Sequence, residues 1–161
     1  MGVVNVTPDS FSDGGETLDA EAAIARGRAM IAAGADIIDV GGESTRPGAA
    51  PLDPAEEQSR IVPVIRALAA EGAVVSADTR HAAVMAAAVA AGARIVNDVS
   101  ALTAEPGSLA AAAKSGAHVI LMHMKGDPRT MQDDPRYDDV VAEVVAYLAE
   151  RIEACVRAGI P

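Results

Sequence analysis

The sequence contains very few aromatic residues, a single cysteine and no long apolar run. One Phe, two Tyr and no Trp occur among 161 residues, although half of the chain is apolar. Alanine supplies much of that apolar half. Because alanine is the best helix former and lets helices lie close to a sheet, the composition indicates a helix-rich α/β protein. The length suits one domain with a sizeable core.

Positive charge is also scarce, since 13 Lys and Arg residues against 23 Asp and Glu residues give a net charge of −10. We expect no nucleic-acid partner, because binding to a phosphate backbone requires Lys and Arg concentrated on one face. Cys155 cannot form an internal disulfide, which favours a reducing, cytoplasmic location. No apolar run reaches transmembrane length and no basic segment precedes an apolar one at the N-terminus, so we expect no membrane partner.

A β-rich run followed by a loop and a helical stretch recurs five times along the chain. The apolar strand-like runs are typical of a parallel sheet buried on both faces. Repeated βαβ units form either a doubly wound open sheet or a (β/α)8 barrel. The predicted strands are 2–6, 36–40, 73–78, 94–98 and 118–122. The predicted helices are 19–33, 54–70, 80–91, 106–114 and 137–158.

Each predicted strand ends in polar residues. Ligands of α/β proteins bind at the carboxyl ends of parallel strands, where varied loops converge on a rigid base. Five polar strand ends in a row therefore indicate a binding site. The residues concerned are Asn5, Asp39, Asp78, Asn97 with Asp98, and His123.

Structural roles compete with this functional interpretation at some of these positions. Asp98 fits a helix N-cap as well as it fits a functional group. Asn5 and Asn97 have the alternative of satisfying backbone groups in loops. Asp78 favours function, because a carboxylate at the end of an apolar strand is costly to bury without partners. The role of His123 stays open.

Two long loops rich in Gly and Pro, 7–18 and 41–53, follow the first two strands. Loops of this length in a compact domain tend to be lids or binding loops. Phe11, the only Phe of the chain, lies on the first loop, and Arg46 on the second offers a planar set of donors for a phosphate or carboxylate. These features predict an enzyme site for a small, planar, partly anionic ligand.

Several segments of the chain resemble the dihydropteroate synthase family. MGVVNVTPDSFSDGG and IIDVGGESTRPGA are similar to its two signature segments, while SADTR, IVNDVS and LMHMKGDPRTMQ resemble its third, fourth and fifth strand ends. The resemblance implies a (β/α)8 TIM barrel. It also implies a transferase that joins 6-hydroxymethyl-7,8-dihydropterin pyrophosphate to p-aminobenzoate, its two small-molecule partners, and releases pyrophosphate with the assistance of Mg²⁺.

The resemblance further implies roles for residues that match the family's motifs. Asn5 would hold the metal and the pyrophosphate, and Asn5, Asp9 and Arg46 would be the catalytic residues. Asp78 and Asn97 would bind the edge of the pterin ring. Ile120 and Met122 would bind beside the pterin, and Thr45 would contact its diphosphate. The loops over p-aminobenzoate would contribute the substrate-binding residues Phe11, Ser12 and Pro47, together with the catalytic residues Asp9 and Arg46.

The family's barrel is longer than this chain, since a (β/α)8 barrel has about 250 residues. We therefore interpret residues 1–161 as a single pterin-binding domain with the first five βα units only. The three C-terminal units, with their Lys, Arg and His ligands for pterin and pyrophosphate, would be absent. The complete enzyme would be a homodimer, and this portion alone would be inactive.

Two other interpretations stay open. The chain could belong to another pterin-binding barrel, such as a methyltetrahydrofolate methyltransferase, although the loops at 7–18 and 41–53 argue against a methyl carrier. It could also be a non-catalytic pterin-binding remnant that closes as a flavodoxin-like open sheet. Strand order discriminates between the folds, because a barrel requires 1-2-3-4-5 and the open sheet 2-1-3-4-5.

Overall fold

The computed structural model describes residues 1–6, 15–43, 52–127 and 130–160, and within 15–19 only the backbone. Over these residues five strands alternate with five helices, which confirms the βα pattern. Most bounds fall within two residues of the prediction, but α1 begins at Gly15, inside the predicted first loop. The elements are β1 Gly2–Asn5, α1 Gly15–Ala32, β2 Ile37–Gly41, α2 Pro54–Ala70, β3 Val74–Asp78, α3 Ala82–Ala90, β4 Ile95–Asp98, α4 Ser108–Ser115, β5 His118–Leu121 and α5 Val140–Arg157.

The five strands form one parallel sheet in the order β1-β2-β3-β4-β5. Each strand therefore pairs with its neighbours in the chain, as in a (β/α)8 barrel. The order 2-1-3-4-5 of the flavodoxin-like alternative is wrong for this chain. Sequential parallel pairing also brings all five carboxyl ends to one edge of the sheet, where the chemistry of the site is expected.

The helices cover one face of the sheet. Ile38 and Val40 of β2 are fully buried there with Val75 of β3, and they share a core with Ile61 and Leu68 of α2. Successive side chains of a strand point to opposite faces, so the residues between these apolar positions lie on the other face. The core is thus built from aliphatic residues, as the shortage of aromatic residues requires.

The second face of the sheet is polar and partly open. Val3 is 47% exposed, and Asn5 and His118 are exposed as well. The expectation of strands buried on both faces is therefore wrong for the outer strands β1 and β5. In β1, for example, Val4 on the helix side is fully buried, while its neighbours Val3 and Asn5 on the other face are exposed.

Local signals explain where the helices begin and end. Asp53 caps α2, since its carboxylate accepts a hydrogen bond from the Ala55 N–H at 2.8 Å, and Pro54 occupies the first helical position, where no N–H is needed. Asp139 caps α5 in the same way through the Ala142 N–H. Gly116 ends α4 with a φ of 69°, a left-handed conformation that costs glycine little.

Helix α5 exposes an apolar stripe on its outer face. Val141, Val145, Ile152 and Val156 follow one another at helical spacing and are 54–69% exposed. Cys155, on the inner side of the same helix, is buried and free. Within the described ranges, no helix is long and apolar enough to cross a membrane. The stripe is therefore an apolar surface that the described part of the chain leaves uncovered.

Candidate active site

Three of the predicted site residues lie in one row at the carboxyl edge of the sheet. Asn5 pairs with Gly41, Gly41 with Asp78, and Asp78 with Asn97 in the register of the parallel strands. Residues in register on parallel strands point to the same face. Asn5, Asp78 and Asn97 therefore share the open, polar face, opposite the helices.

Gly41 allows the Asp78 side chain to lie close to the backbone of β2. A Cβ atom at Gly41 would lie 3.3 Å from Oδ2 of Asp78, which is closer than an ordinary van der Waals contact. A side chain at position 41 would therefore displace the Asp78 carboxylate from its place in the row.

Asp78 is the most strongly perturbed titratable group of the site. Its pKa is raised from 3.8 to about 7, first by loss of solvent around the carboxyl group and then by the negative charges of Asp39, Glu57, Asp98 and Glu43. A carboxyl group with this pKa exchanges a proton near neutral pH. Perturbed groups of this kind concentrate at functional sites, which supports a chemical role for Asp78.

Asn97 is held by Asp39, a polar residue of the predicted site for which no partner was predicted. Its Nδ2 donates a hydrogen bond to Oδ2 of Asp39 at 3.0 Å, across the intervening strand β3. Asp39 is 4% exposed, and among the described residues its Oδ1 has no hydrogen-bond partner. The only signal in the sequence was a carboxylate within an apolar strand, which did not reveal its partner 58 positions away.

Ile120 lies beside Asn97, since the two residues are in register on β4 and β5. It is half-buried on the open face, so an apolar surface adjoins the polar row. Met122 is also half-buried and lies one residue beyond the end of β5. Both positions agree with a location beside a bound ring, and their contact with a ligand stays a prediction.

The remaining predicted site residues belong to the two loops and lie outside the described residues. Their proposed contacts with the substrates stay predictions. They are Asp9, Phe11, Ser12, Thr45, Arg46 and Pro47.

A partly buried ion pair lies where the second predicted loop leaves the sheet. Arg80 donates to both carboxylate oxygens of Glu43 at 2.8 Å, and the Leu52 N–H donates to the same carboxylate at 3.2 Å. Burial alone would raise the pKa of Glu43, but these hydrogen bonds outweigh it and lower that pKa. Glu43 immediately precedes segment 44–51 and Leu52 immediately follows it, so their hydrogen bond links the two sides of that segment. This pair could not be predicted, because Glu43 and Arg80 are 37 positions apart and no sequence motif links them.

Three further polar residues have structural roles. Oδ1 of Asp98 accepts hydrogen bonds from the N–H and hydroxyl of Ser100, and Oδ2 accepts from the Leu102 N–H, so Asp98 organises the loop after β4. His81 contacts the fully buried Glu57 through Nδ1 at 2.7 Å. His123 packs edge-on against Tyr147 with ring centroids 5.0 Å apart. Of the predicted strand-end residues, Asp98 and His123 thus have structural contacts within the described part of the chain.

No cluster of three or more His, Cys, Asp or Glu side chains suited to a metal occurs within the described ranges. Mg²⁺ does not require one, because it keeps several waters and is commonly held by one or two side-chain oxygens together with substrate phosphates. The exposed amide of Asn5 at the end of β1 is an oxygen ligand of the required type. Asn5 therefore fits an ion shared with a phosphorylated substrate.

Dihydropteroate synthases are similar to this chain in both sequence and fold. The enzyme of Escherichia coli (strain K12) is 52% identical in an alignment of 161 positions that covers 99% of this chain and 57% of that enzyme. The crystal structure of Yersinia pestis dihydropteroate synthase with a sulfonamide drug superimposes with a TM-score of 0.92 at 49% identity, over 100% of this chain and 58% of its own. Xanthomonas albilineans dihydropteroate synthase with 4-aminobenzoic acid gives a TM-score of 0.90 at 53% identity, over 100% of this chain and 57% of its own.

These comparisons establish the fold and the family. The chain spans somewhat more than half of the length of these relatives and has the fold of the first five βα units of a (β/α)8 barrel. A profile of the family described as pterin binding enzyme matches residues 1–161 in full. The chain therefore belongs to the pterin binding enzyme family.

Proposed function

We propose that this chain is the pterin-binding portion of a dihydropteroate synthase. The enzyme would condense 6-hydroxymethyl-7,8-dihydropterin pyrophosphate with p-aminobenzoate to give 7,8-dihydropteroate and pyrophosphate. The observation that carries the proposal is the row of Asn5, Asp78 and Asn97 on the open face of the sheet. The identity to the Xanthomonas albilineans enzyme that binds 4-aminobenzoic acid supports the second substrate.

Asp78 and Asn97 are the proposed ligands of the pterin ring. A pterin presents an aminopyrimidinone edge, in which an amino group and a ring N–H are adjacent donors. The two oxygens of a carboxylate can accept from both donors, while an amide supplies one acceptor and one donor for the rest of the edge. A site built in this way rejects rings that lack the matching groups. Ile120 and Met122 would border the ring.

Asn5 is the proposed ligand of Mg²⁺ and the pyrophosphate. The bound ion would supply positive charge that neutralises the leaving group. The C–O bond between the pterin methylene carbon and pyrophosphate breaks, and the amine of p-aminobenzoate uses its lone pair to form the new C–N bond and releases a proton. Because the pterin ring stabilises the positive methylene carbon, this chemistry needs no protein nucleophile.

The two loops are proposed to surround p-aminobenzoate. Thr45 would contact the pterin diphosphate, and Arg46 would add positive charge near the leaving group. Exclusion of water by the loops would keep the methylene carbon from being hydrolysed. The remaining loop residues in this role are Asp9, Phe11, Ser12 and Pro47.

We also propose that three further βα units complete the barrel in the whole enzyme. The relatives are longer, and the apolar stripe of α5 and the open face at Val3 are surfaces that further units would cover. Residues 1–161 would then hold only part of the positive charge that pyrophosphate departure requires, and this portion alone would not turn over at a useful rate. A homodimer and a cytoplasmic location are proposed for the whole enzyme.

Calorimetry with each ligand separately tests the proposed role of Asp78. We expect the pterin to bind residues 1–161 and the Asp78→Asn variant to lose pterin affinity about 100-fold, since an amide accepts at only one atom. Affinity for p-aminobenzoate should change little. The exposed Asp133 provides a matched control, since Asp133→Asn removes the same charge from a side chain that does not belong to the row of strand ends. Equal losses for both ligands would contradict the assignment.

A further inference from the structure

The floor of the proposed site contains a carboxylate whose burial needs an explanation. Asp39 lies in the middle of β2 between Ile38 and Val40, which both point into the helix-covered core. Its side chain therefore points to the face that carries Asp78 and Asn97. At 4% exposure it is more buried than either of them. A buried carboxylate is costly, and an apolar residue would serve a purely structural strand better.

The one described hydrogen bond of Asp39 determines how the Asn97 amide is oriented. An ionised carboxylate only accepts hydrogen bonds, so the group that faces it must be the NH₂ of Asn97 and not its carbonyl oxygen. The 3.0 Å contact between Nδ2 and Oδ2 agrees with this assignment. Rotation of the amide by half a turn would place its carbonyl oxygen against a negative charge. Oδ1 of Asn97 and its second N–H are not hydrogen-bonded by any other described residue and are available on the open face.

We propose that Asp39 is a positioning residue that fixes the Asn97 amide, so that the site presents the Asn97 carbonyl oxygen next to the Asp78 carboxylate. The inference rests on the proposed function, because the pterin edge is the group that would hydrogen-bond to the Asn97 carbonyl oxygen and the Asp78 carboxylate. Asp39 reaches Asn97 across β3, where Asp78 is the direct neighbour of Asn97. Asp39 thus acts from beneath the site and makes the acceptor side of Asn97 available for donors of the ligand.

Nuclear magnetic resonance of the 161-residue chain tests the orientation without any ligand. In the wild-type chain, one of the two Nδ2 protons of Asn97 should be shifted downfield and protected from exchange. In Asp39→Val, which lacks an acceptor, this signature should disappear, and Asp39→Asn, which keeps one acceptor oxygen, should restore part of it. Asp36→Asn removes a charge just before the same strand and should leave the signature unchanged. An unprotected Asn97 amide in the wild-type chain would overturn the inference even if the Asp39 variants failed to fold.

A double-mutant cycle tests whether Asp39 acts through Asn97. With 6-hydroxymethyl-7,8-dihydropterin as the probe, Asp39→Val should weaken binding about 10-fold, the effect of one hydrogen bond. In an Asn97→Ala background the same substitution should have almost no effect, whereas a general structural role would weaken binding equally in both backgrounds. Equal effects would overturn the inference. Failure of the wild-type chain to bind the probe would count against the proposed function, while the ligand-free amide signature would still decide the role of Asp39.

Discussion

Replacement of Asp78 by Asn should stabilise the fold at alkaline pH. Asp78 has a pKa of about 7 in the folded chain, against an ordinary value of 3.8, so the folded state holds its proton more tightly than the unfolded state does. Between these two pH values the folded chain binds more protons, and its stability must fall as the pH rises through this window. Above pH 7 the folded state contains an ionised carboxylate in poorly solvated surroundings beside Asp39, and Asn removes this charge.

The magnitude follows from the same pKa. A tenfold change in proton affinity is worth about 1.4 kcal/mol, so ionisation of Asp78 costs the folded state at most about 4 kcal/mol. Screening by solvent lowers this value, because the side chain is only partly buried. A residue that weakens the fold at physiological pH is expected where function requires it.

Urea denaturation of wild type and Asp78→Asn at pH 5 and pH 8 measures the effect. The difference in the free energy of unfolding between the two proteins should shift in favour of Asp78→Asn by about 2 kcal/mol between pH 5 and pH 8, since the unfolded carboxyl group is already ionised at pH 5 and the folded one ionises near pH 7. Because both proteins contain the same other carboxyl groups, the effect of their titration cancels in the difference between the two free energies of unfolding. The Asp133→Asn control should show no such pH dependence. A variant that is less stable than wild type at pH 8 would refute the reasoning.

Three further outcomes are expected from the described contacts. Glu43→Gln should lower the free energy of unfolding by about 1 to 3 kcal/mol, and the loss should shrink in an Arg80→Ala background, as urea titrations of both would show. Asp98→Ala should destabilise the chain by about 3 kcal/mol in thermal unfolding followed by circular dichroism, since three donors lose their acceptor. Gly41→Ala should weaken pterin binding about 10-fold in calorimetry, because the added Cβ would crowd the Asp78 carboxylate. Unchanged affinity would show that the placement of the Asp78 carboxylate against Gly41 does not matter for pterin binding.

The sequence was sufficient for the strands, their order and the row of polar strand ends. Strands and helices follow local periodicity and caps, and the sequential order follows from the resemblance to a barrel. Asn5, Asp78 and Asn97 came together because the ends of parallel strands must share one edge of the sheet. Placement at a strand end is a local property, which a sequence can reveal.

Hydrogen bonds between side chains that lie far apart in the sequence could not be predicted from it. The Asp39–Asn97 bond depends on the spacing of β2 and β4 across a third strand, and the Glu43–Arg80 pair depends on how the ends of β2 and β3 adjoin. The sequence also left the role of Asp98 open, because aspartate serves equally well as a helix cap and as a ligand-binding residue. Its acceptance of three hydrogen bonds from its own loop was visible only in the structure.

The central claim is that the pterin binds at the carboxyl edge of the sheet, against Asp78 and Asn97. Amide resonances of the ¹⁵N-labelled chain, recorded during titration with 6-hydroxymethyl-7,8-dihydropterin, test it most directly. The account predicts saturable shifts concentrated at Asn5, Gly41, Asp78, Asn97 and Ile120, with little change at the opposite strand ends or on α5. The shifts should be lost in Asp78→Asn and kept in Asp133→Asn. Absence of shifts in the wild-type chain, or shifts concentrated at the opposite edge of the sheet, would contradict the account.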